Sequence, residues 1–250
     1  MGFPDPEPAP PAGGITVDSA YWPFYAEVAS AQVAEWLPPA PSLILDLSGG
    51  RGRFTEQLLD AGHAVLQVCA GPPEQAFPGR GWQPVVADSR SLRWLADGSV
   101  DAVLAESRAL SMCLATEHTA LELFRVLRPG GQLLLVVDSL LTGLARLADL
   151  GRWAELADVP YADCVLVPAA DGTISRCFWP QELRELLTAA GLEIQWVRPR
   201  TVLTAASVEL AVAQGGQAAH DTLVRTELAL SREREGESAG MHLVASARRP

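Results

Sequence analysis

The sequence contains no lysine and no asparagine, and all nineteen of its basic residues are arginine. A Schiff-base lysine and a phosphate-loop lysine are therefore excluded as sources of chemistry. The missing asparagine reads as coding bias from a GC-rich genome rather than as a functional feature. Histidine is scarce, with four residues at His63, His118, His220 and His242. The four cysteines, Cys69, Cys113, Cys164 and Cys177, include no pair at metal-finger or Cys-x-x-Cys spacing. No zinc or other metal site is legible, and the thiols read as reduced side chains of a cytoplasmic protein. The longest apolar runs, such as 133–137, are strand-sized and far from the roughly 18 residues of a membrane span. The opening MGFPDPEPAPPAGG lacks a basic stretch and an apolar core, so it reads as a disordered tail over 1–14, not as a signal peptide. A formal net charge of −11 repels phosphate backbones and anionic lipid, which disfavours nucleic-acid and membrane partners.

What is present points to a folded α/β chain. Hydrophobic residues make up 48% of 250, enough for a full core in one domain with insertions. The centre of the pattern is LILDLSGGRGRF. An apolar run, Leu43-Ile44-Leu45, ends at Asp46. A tight turn follows through Ser48, Gly49, Gly50, Arg51 and Gly52, and then a helical pattern with Phe54, Leu58 and Leu59 on one face. Strand, glycine turn and helix form the unit that opens a nucleotide-binding sheet. Glycine there admits positive φ and lets a ligand lie against the backbone, and the helix start offers free N–H groups.

The flanking chain extends this pattern. A helix with dense aromatics (Tyr21, Trp22, Phe24, Tyr25) spans 17–37 and is stopped by Pro38-Pro39-Ala40-Pro41. Further strands are expected at 64–69, 85–87, 100–105, 132–137, 192–197 and 242–247, alternating with helices at 53–60, 117–127 and 181–190. Continuous apolar strands between helices predict a parallel sheet covered on both faces. Residues 140–156 read as a helix, and 163–178 as a hairpin around Ala170-Asp171-Gly172. Two helices with a break at Gly215-Gly216 are expected over 202–234. The chain thus divides into the tail 1–14 and one domain over 15–250, with cap-like insertions at 140–179 and 201–238.

Four segments resemble the class I S-adenosylmethionine-dependent methyltransferases in their small-molecule form. These are LILDLSGGRGRF; ADSRSLRWLADGSVDAV; ALELFRVLRPGGQLLLV, the most specific; and the closing HLVASARR. A nicotinamide dehydrogenase fits worse, because Thr55 stands where its third glycine belongs and Cys69 where its ribose acid belongs. The resemblance implies a doubly wound, mostly parallel seven-stranded sheet, Rossmann-like, with the last strand antiparallel. It implies S-adenosylmethionine as cofactor and S-adenosylhomocysteine as product. Asp46, Ser48, Gly49, Gly50 and Gly52 would hold the methionine part, joined by Glu106, Ser107 and Arg108 after the fourth strand. Asp88 with Ser89 would hold the adenine, and Tyr21 or Tyr25 would reach the cofactor carboxylate. Ser48 replaces the family's first glycine. Cys69 replaces the acid that takes both ribose hydroxyls, a loss worth about 1.5–3 kcal/mol per hydrogen bond to a charged acceptor.

Methyl transfer asks the protein mainly for alignment. An acceptor hydroxyl of high pKa would need a base, and His118 is the first candidate, with Glu106 and Asp138 behind it. Trp22, Trp153, Tyr161 and Phe178, beside Tyr21 and Tyr25, are the expected walls of an acceptor pocket. The Asn/Asp-Pro-Pro-Tyr motif is absent after the fourth strand, where Ala105-Glu106-Ser107-Arg108 stands. This leaves a small-molecule acceptor, as in secondary metabolism, with methylation on oxygen, nitrogen or carbon. A different reaction on the same fold, such as a cyclisation, and a non-catalytic binding role are the alternatives. A homodimer is left open.

Overall fold

In the computed structural model, residues 18–48, 53–73, 75–79, 81–106, 108–162, 164–168 and 172–250 are described. The tail at 1–14, the glycines at 49–52 and the hairpin tip at 169–171 lie outside these residues. The aromatic segment forms helix α1 (Tyr21–Trp36), which ends where the prolines begin. Strand β1 (Leu43–Asp46) is followed by α2 (Thr55–Asp60), β2 (Ala64–Cys69), β3 (Trp82–Val86) and β4 (Val100–Ala105). Helix α3 (Thr116–Val126) then feeds the long β5 (Leu127–Ser139).

These five strands lie in the order β3-β2-β1-β4-β5, all parallel. Helix α6 (Pro180–Ala189), β8 (Glu193–Arg200), α7 (Ala205–Glu233) and β9 (His242–Arg248) complete the fold. Strand β9 pairs antiparallel with β5, and β8 antiparallel with β9. The result is the expected mostly parallel sheet with its last strand reversed. Among the described residues it counts nine strands and not seven, because a hairpin of two further strands joins it at the tip of β5.

Period-2 alternation in β5 shows why the apolar strands are buried on both faces. Leu133, Leu135 and Val137 join a core with Leu123 of α3 and Leu183 and Leu187 of α6. Leu134 and Val136 join the opposite core, with Phe24, Val28 and Val33 of α1, Leu58 of α2, and Val208 and Val224 of α7.

The RVLRPGG segment has a specific geometric reason. Gly130 sits at φ 79, in the region open to glycine. A Cβ on Gly131 would lie 2.8 Å from the Arg128 carbonyl oxygen and 2.9 Å from that of Asp101. The segment pairs with the end of the chain: Gly130 N–H donates to Arg249 O (2.8 Å), and Arg249 N–H to Gly131 O (2.9 Å). Arg249 Nη1 also donates to the carbonyls of Arg125 (3.1 Å) and Leu127 (2.6 Å) at the end of α3. β5 therefore starts five residues before the apolar run that marks it in the sequence.

Residues 140–156 form two helices, α4 (Leu140–Asp149) and α5 (Trp153–Asp158), parted at Gly151 with φ 64. The hairpin is present as β6 (Val165–Pro168) and β7 (Ile174–Phe178), paired antiparallel. β7 also runs parallel to the tip of β5, at Asp138 and Ser139. Asp138 pairs with His242 on its other edge, so the hairpin continues the β4 side of β5 beyond the end of β4. The expected break in the last helical segment appears at Gly216, whose backbone is non-helical at φ 56, ψ −142.

Candidate active site

In a sheet of this kind ligands sit beyond the carboxyl ends of the parallel strands. Three buried carboxylates gather there: Asp46 ends β1, Glu106 follows β4 and Asp138 lies near the end of β5.

Asp46 is 1% exposed. Its Oδ1 accepts the Ser48 N–H at 2.8 Å, and its Oδ2 accepts the Thr55 hydroxyl at 2.9 Å. Ser48 and Thr55 flank the glycine-rich segment in the sequence, so one side chain ties the residues on either side of it. Burial raises the pKa of Asp46, and the hydrogen bonds from Ser48 and Thr55 work against that rise.

Glu106 meets Arg200, the last residue of β8. The pair is bidentate, with Nη1 to Oε2 and Nη2 to Oε1 both at 2.8 Å, and Arg200 is 0% exposed. The guanidinium Nε donates to Gln32 Oε1 (2.6 Å), and Nη1 reaches the Tyr25 hydroxyl (3.4 Å). Gln32 continues to Ser231, whose hydroxyl donates to Pro199 O. Strands β4 and β8 and helices α1 and α7 are thus joined through one buried arginine. The next residue, Thr201, has φ 61. Glu227 secures this bend by accepting the N–H groups of Val202 (2.9 Å) and Leu203 (3.0 Å). Tyr21 is buried against the same bend, and burial pushes its phenol above the ordinary range.

Asp138 anchors a second cluster and is 0% exposed. Arg108 Nη1 donates to its Oδ1 (2.9 Å) and Oδ2 (3.0 Å). Arg146 Nη1 (3.2 Å) and Ser175 Oγ (3.1 Å) reach Oδ2, and His242 Nε2 lies 3.5 Å from Oδ1. Burial alone would raise the pKa of Asp138. The opposing effects of Arg108, His242 and Arg146 prevail and hold it well below the usual carboxylate range. Burial lowers the pKa of His242, against the pull of Asp138, so its imidazole is neutral at pH 7. Arg108 sits at φ 58, a region costly for a side chain of its size.

The sequence-expected site residues separate into two groups. Asp46, Ser48, Glu106, Tyr21 and Tyr25 converge at the carboxyl end of the sheet, with Trp22 half-buried beside the tyrosines. Cys69 ends β2 with 1% exposure. Asp88 follows β3 and is gripped by Arg90, with Nε to Oδ1 and Nη2 to Oδ2 both at 2.9 Å; Ser89 is half-buried between them. The Arg90 guanidinium holds the Asp88 carboxyl below its ordinary pKa.

Several expectations need correction. His118 lies in the first turn of α3 and is exposed, so it is not one of the buried groups gathered at the strand ends. Both oxygens of Glu106 face Arg200, which takes Glu106 out of the role of proton acceptor. The insertion does leave from the carboxyl end of β5, but Trp153 is 65% and Tyr161 88% exposed. Phe178 is 0% exposed, packed into the sheet core beneath Arg176. None of these three walls an enclosed acceptor site. Arg200 was not found from the sequence, nor was the pairing of His242 with Asp138 or of Arg108 with Asp138. A charged residue closing the strand WVRPR was the one signal for Arg200. Among the described residues no group of His, Cys, Asp and Glu forms a metal site, and no helix is long and apolar enough to cross a membrane.

Residues 45–135 match the family model described as a methyltransferase domain. Among proteins of curated function none matches the sequence. Solved structures show the same fold. A 1,6-didemethyltoxoflavin N1-methyltransferase from Burkholderia thailandensis, solved with 1,6-didemethyltoxoflavin and S-adenosylhomocysteine, is 21% identical over 92% of this chain and 80% of its own, with a TM-score of 0.58. An S-adenosylmethionine-dependent methyltransferase from Mesorhizobium loti is 18% identical over 93% and 99%, at 0.59. The [4+2]-cyclase SpnF is 21% identical over 90% and 80%, at 0.56.

Proposed function

From a chain that carries a methyltransferase domain over 45–135 on the class I fold, we propose a small-molecule methyltransferase. It binds S-adenosylmethionine over the turn at 48–52 and releases S-adenosylhomocysteine. The observation that carries this reading is Asp46, buried at the end of β1 and tied to residues on either side of the glycine-rich segment. That brace fixes the loop against which the methionine part of the cofactor would lie. The cofactor supplies a methyl group already activated on a sulfonium. The protein's share is to hold and align the partners and to keep water out. The two buried ion pairs stiffen the strand ends where this alignment must occur. The acceptor is a small molecule, as in secondary metabolism, and the chain acts in the cytoplasm.

The ribose and adenine side fits less well. Cys69 offers no charged acceptor, and Asp88 is already paired with Arg90. This departure favours weak cofactor binding. It also supports the second reading, a methyltransferase fold used for another reaction, as the likeness to a cyclase illustrates. Cys69→Asp will tighten S-adenosylhomocysteine binding up to about tenfold, or 1.4 kcal/mol, in isothermal titration. Unchanged affinity in a variant of normal melting temperature would remove Cys69 from the ribose site.

A further inference from the structure

His242 stands apart among the four histidines. It begins β9, pairs with Asp138 across the sheet, and keeps about a tenth of its side chain accessible. Asp138 is ionised and accepts hydrogen bonds, so His242 presents its Nε2–H to the carboxylate at 3.5 Å. That tautomer leaves a lone pair on Nδ1. The Nδ1 atom is buried and has no hydrogen-bond partner among the described residues. A buried acceptor without a donor is costly, and a carboxylate that orients a neutral imidazole is the arrangement of a general base. Tyr25 meets the ring edge-on at 5.6 Å, which sets an aromatic surface beside the free nitrogen.

The surrounding charges choose the class of donor. Acting on His242 are Asp138 on β5, Arg108 after β4 and Arg200 on β8, with Tyr25 of α1 against its ring. Behind these stand Arg146 and Cys177 beside Asp138, and Glu106 and Glu227 beside Arg200. Burial keeps the Cys177 thiol protonated. Asp138 is already paired with Arg108 and Arg146, and the field of Arg108 and Arg200 opposes a positive charge at the ring. That field favours a group that becomes negative on losing a proton and disfavours an ammonium.

Resting on the methyltransferase reading above, we propose that His242 Nδ1 is the proton acceptor for a phenol-type hydroxyl, held in position by Asp138. In the step, the O–H proton passes to Nδ1. The hydroxyl oxygen forms its bond to the methyl carbon while the carbon–sulfur bond breaks, its electron pair going to sulfur. The products are a methyl aryl ether, S-adenosylhomocysteine and a protonated His242, which returns its proton to water. The role requires a neutral ring. Since burial places the His242 pKa below 6.5, phenol binding will persist down to pH 6.5 and fall away below it.

The test uses the full chain, 4-nitrophenol as probe and 4-nitrobenzylamine as its cationic counterpart. With 15N-labelled histidine, the His242 Nδ1 resonance will show an unprotonated nitrogen that shifts on adding 4-nitrophenol. His242→Gln keeps a donor towards Asp138 and removes the free nitrogen. It will weaken 4-nitrophenol binding about tenfold while its melting temperature stays near that of the parent. 4-Nitrobenzylamine will bind at least about tenfold more weakly than the phenol, the 1.4 kcal/mol expected of an unfavourable field. An Nδ1–H tautomer, no shift with millimolar phenol, or equal binding of the amine would each overturn the proposal. The labelled parent decides the matter even if the variant fails to fold. S-adenosylhomocysteine binding, measured in parallel, separates the two claims. Nucleoside binding without phenol binding sinks this inference alone, and phenol binding without nucleoside binding sinks the methyltransferase reading.

Discussion

Arg200→Met will lower the stability of the protein by roughly 3–5 kcal/mol, the usual result of stripping one partner from a buried ion pair. For a chain of this size that is a fall in melting temperature of about 6–20 °C. The cause lies less in the lost attraction than in what remains. Glu106 would be left charged beside β4 with no cation, and Gln32 Oε1 with no donor. Because Arg200 is entirely buried, water cannot replace it without opening the seam between α1, β4 and β8. The same physics predicts partial rescue. Arg200→Met combined with Glu106→Leu removes both charges, and much of the loss should be recovered. Urea denaturation of the two single variants and the double variant gives the coupling directly. A single-variant loss under about 1 kcal/mol, or a double variant no better than Arg200→Met, would show that the pair is not held as described.

Asp46→Ala will abolish measurable nucleoside binding and cost about 1–3 kcal/mol of stability. The substitution leaves the Ser48 N–H and the Thr55 hydroxyl without their acceptor. Thr55 is fully buried at the head of α2, so its unpaired hydroxyl accounts for the stability term. The binding term comes from the loop between them, whose two ends are no longer fixed to one group. Asp46→Asn separates the effects. Its amide oxygen can still accept from Ser48, and its NH2 can donate to the Thr55 hydroxyl. Stability should return most of the way, with affinity intermediate between parent and alanine. Calorimetry with S-adenosylhomocysteine, paired with melting curves, reads both terms. Full affinity in a folded Asp46→Ala protein would show that the brace does not serve the ligand.

Much of the sheet was legible because its signals are local. The apolar run 100–105 became β4 without change, and Gly215-Gly216 marked the break in α7. Boundaries moved where a long-range contact decides them. β5 begins early because Arg249, more than a hundred residues away, pairs with the RPGG turn. The candidate site was only half legible for the same reason. Asp46 could be identified, since its partners lie two and nine residues on. Arg200 engages Glu106 across 94 positions and Gln32 across 168, separations over which spacing carries no information. His118 and His242 illustrate the cost. Position at a helix start favoured His118, but α3 turns it to solvent. His242 gains its role only from the pairing of β9 with β5, which no local pattern announces. The exposed Trp153 and Tyr161 show the opposite error, in which aromatic content was taken as a wall although their segments present those rings outward.

The central claim is that the turn after β1 binds S-adenosylmethionine and its product. Its most direct test is titration of the full chain with S-adenosylhomocysteine, beside the Gly50→Val variant. The account predicts one site per chain, with affinity lost in Gly50→Val because a branched side chain occupies the path of the ligand. No heat at millimolar nucleoside, or equal affinity in the two proteins, would contradict it.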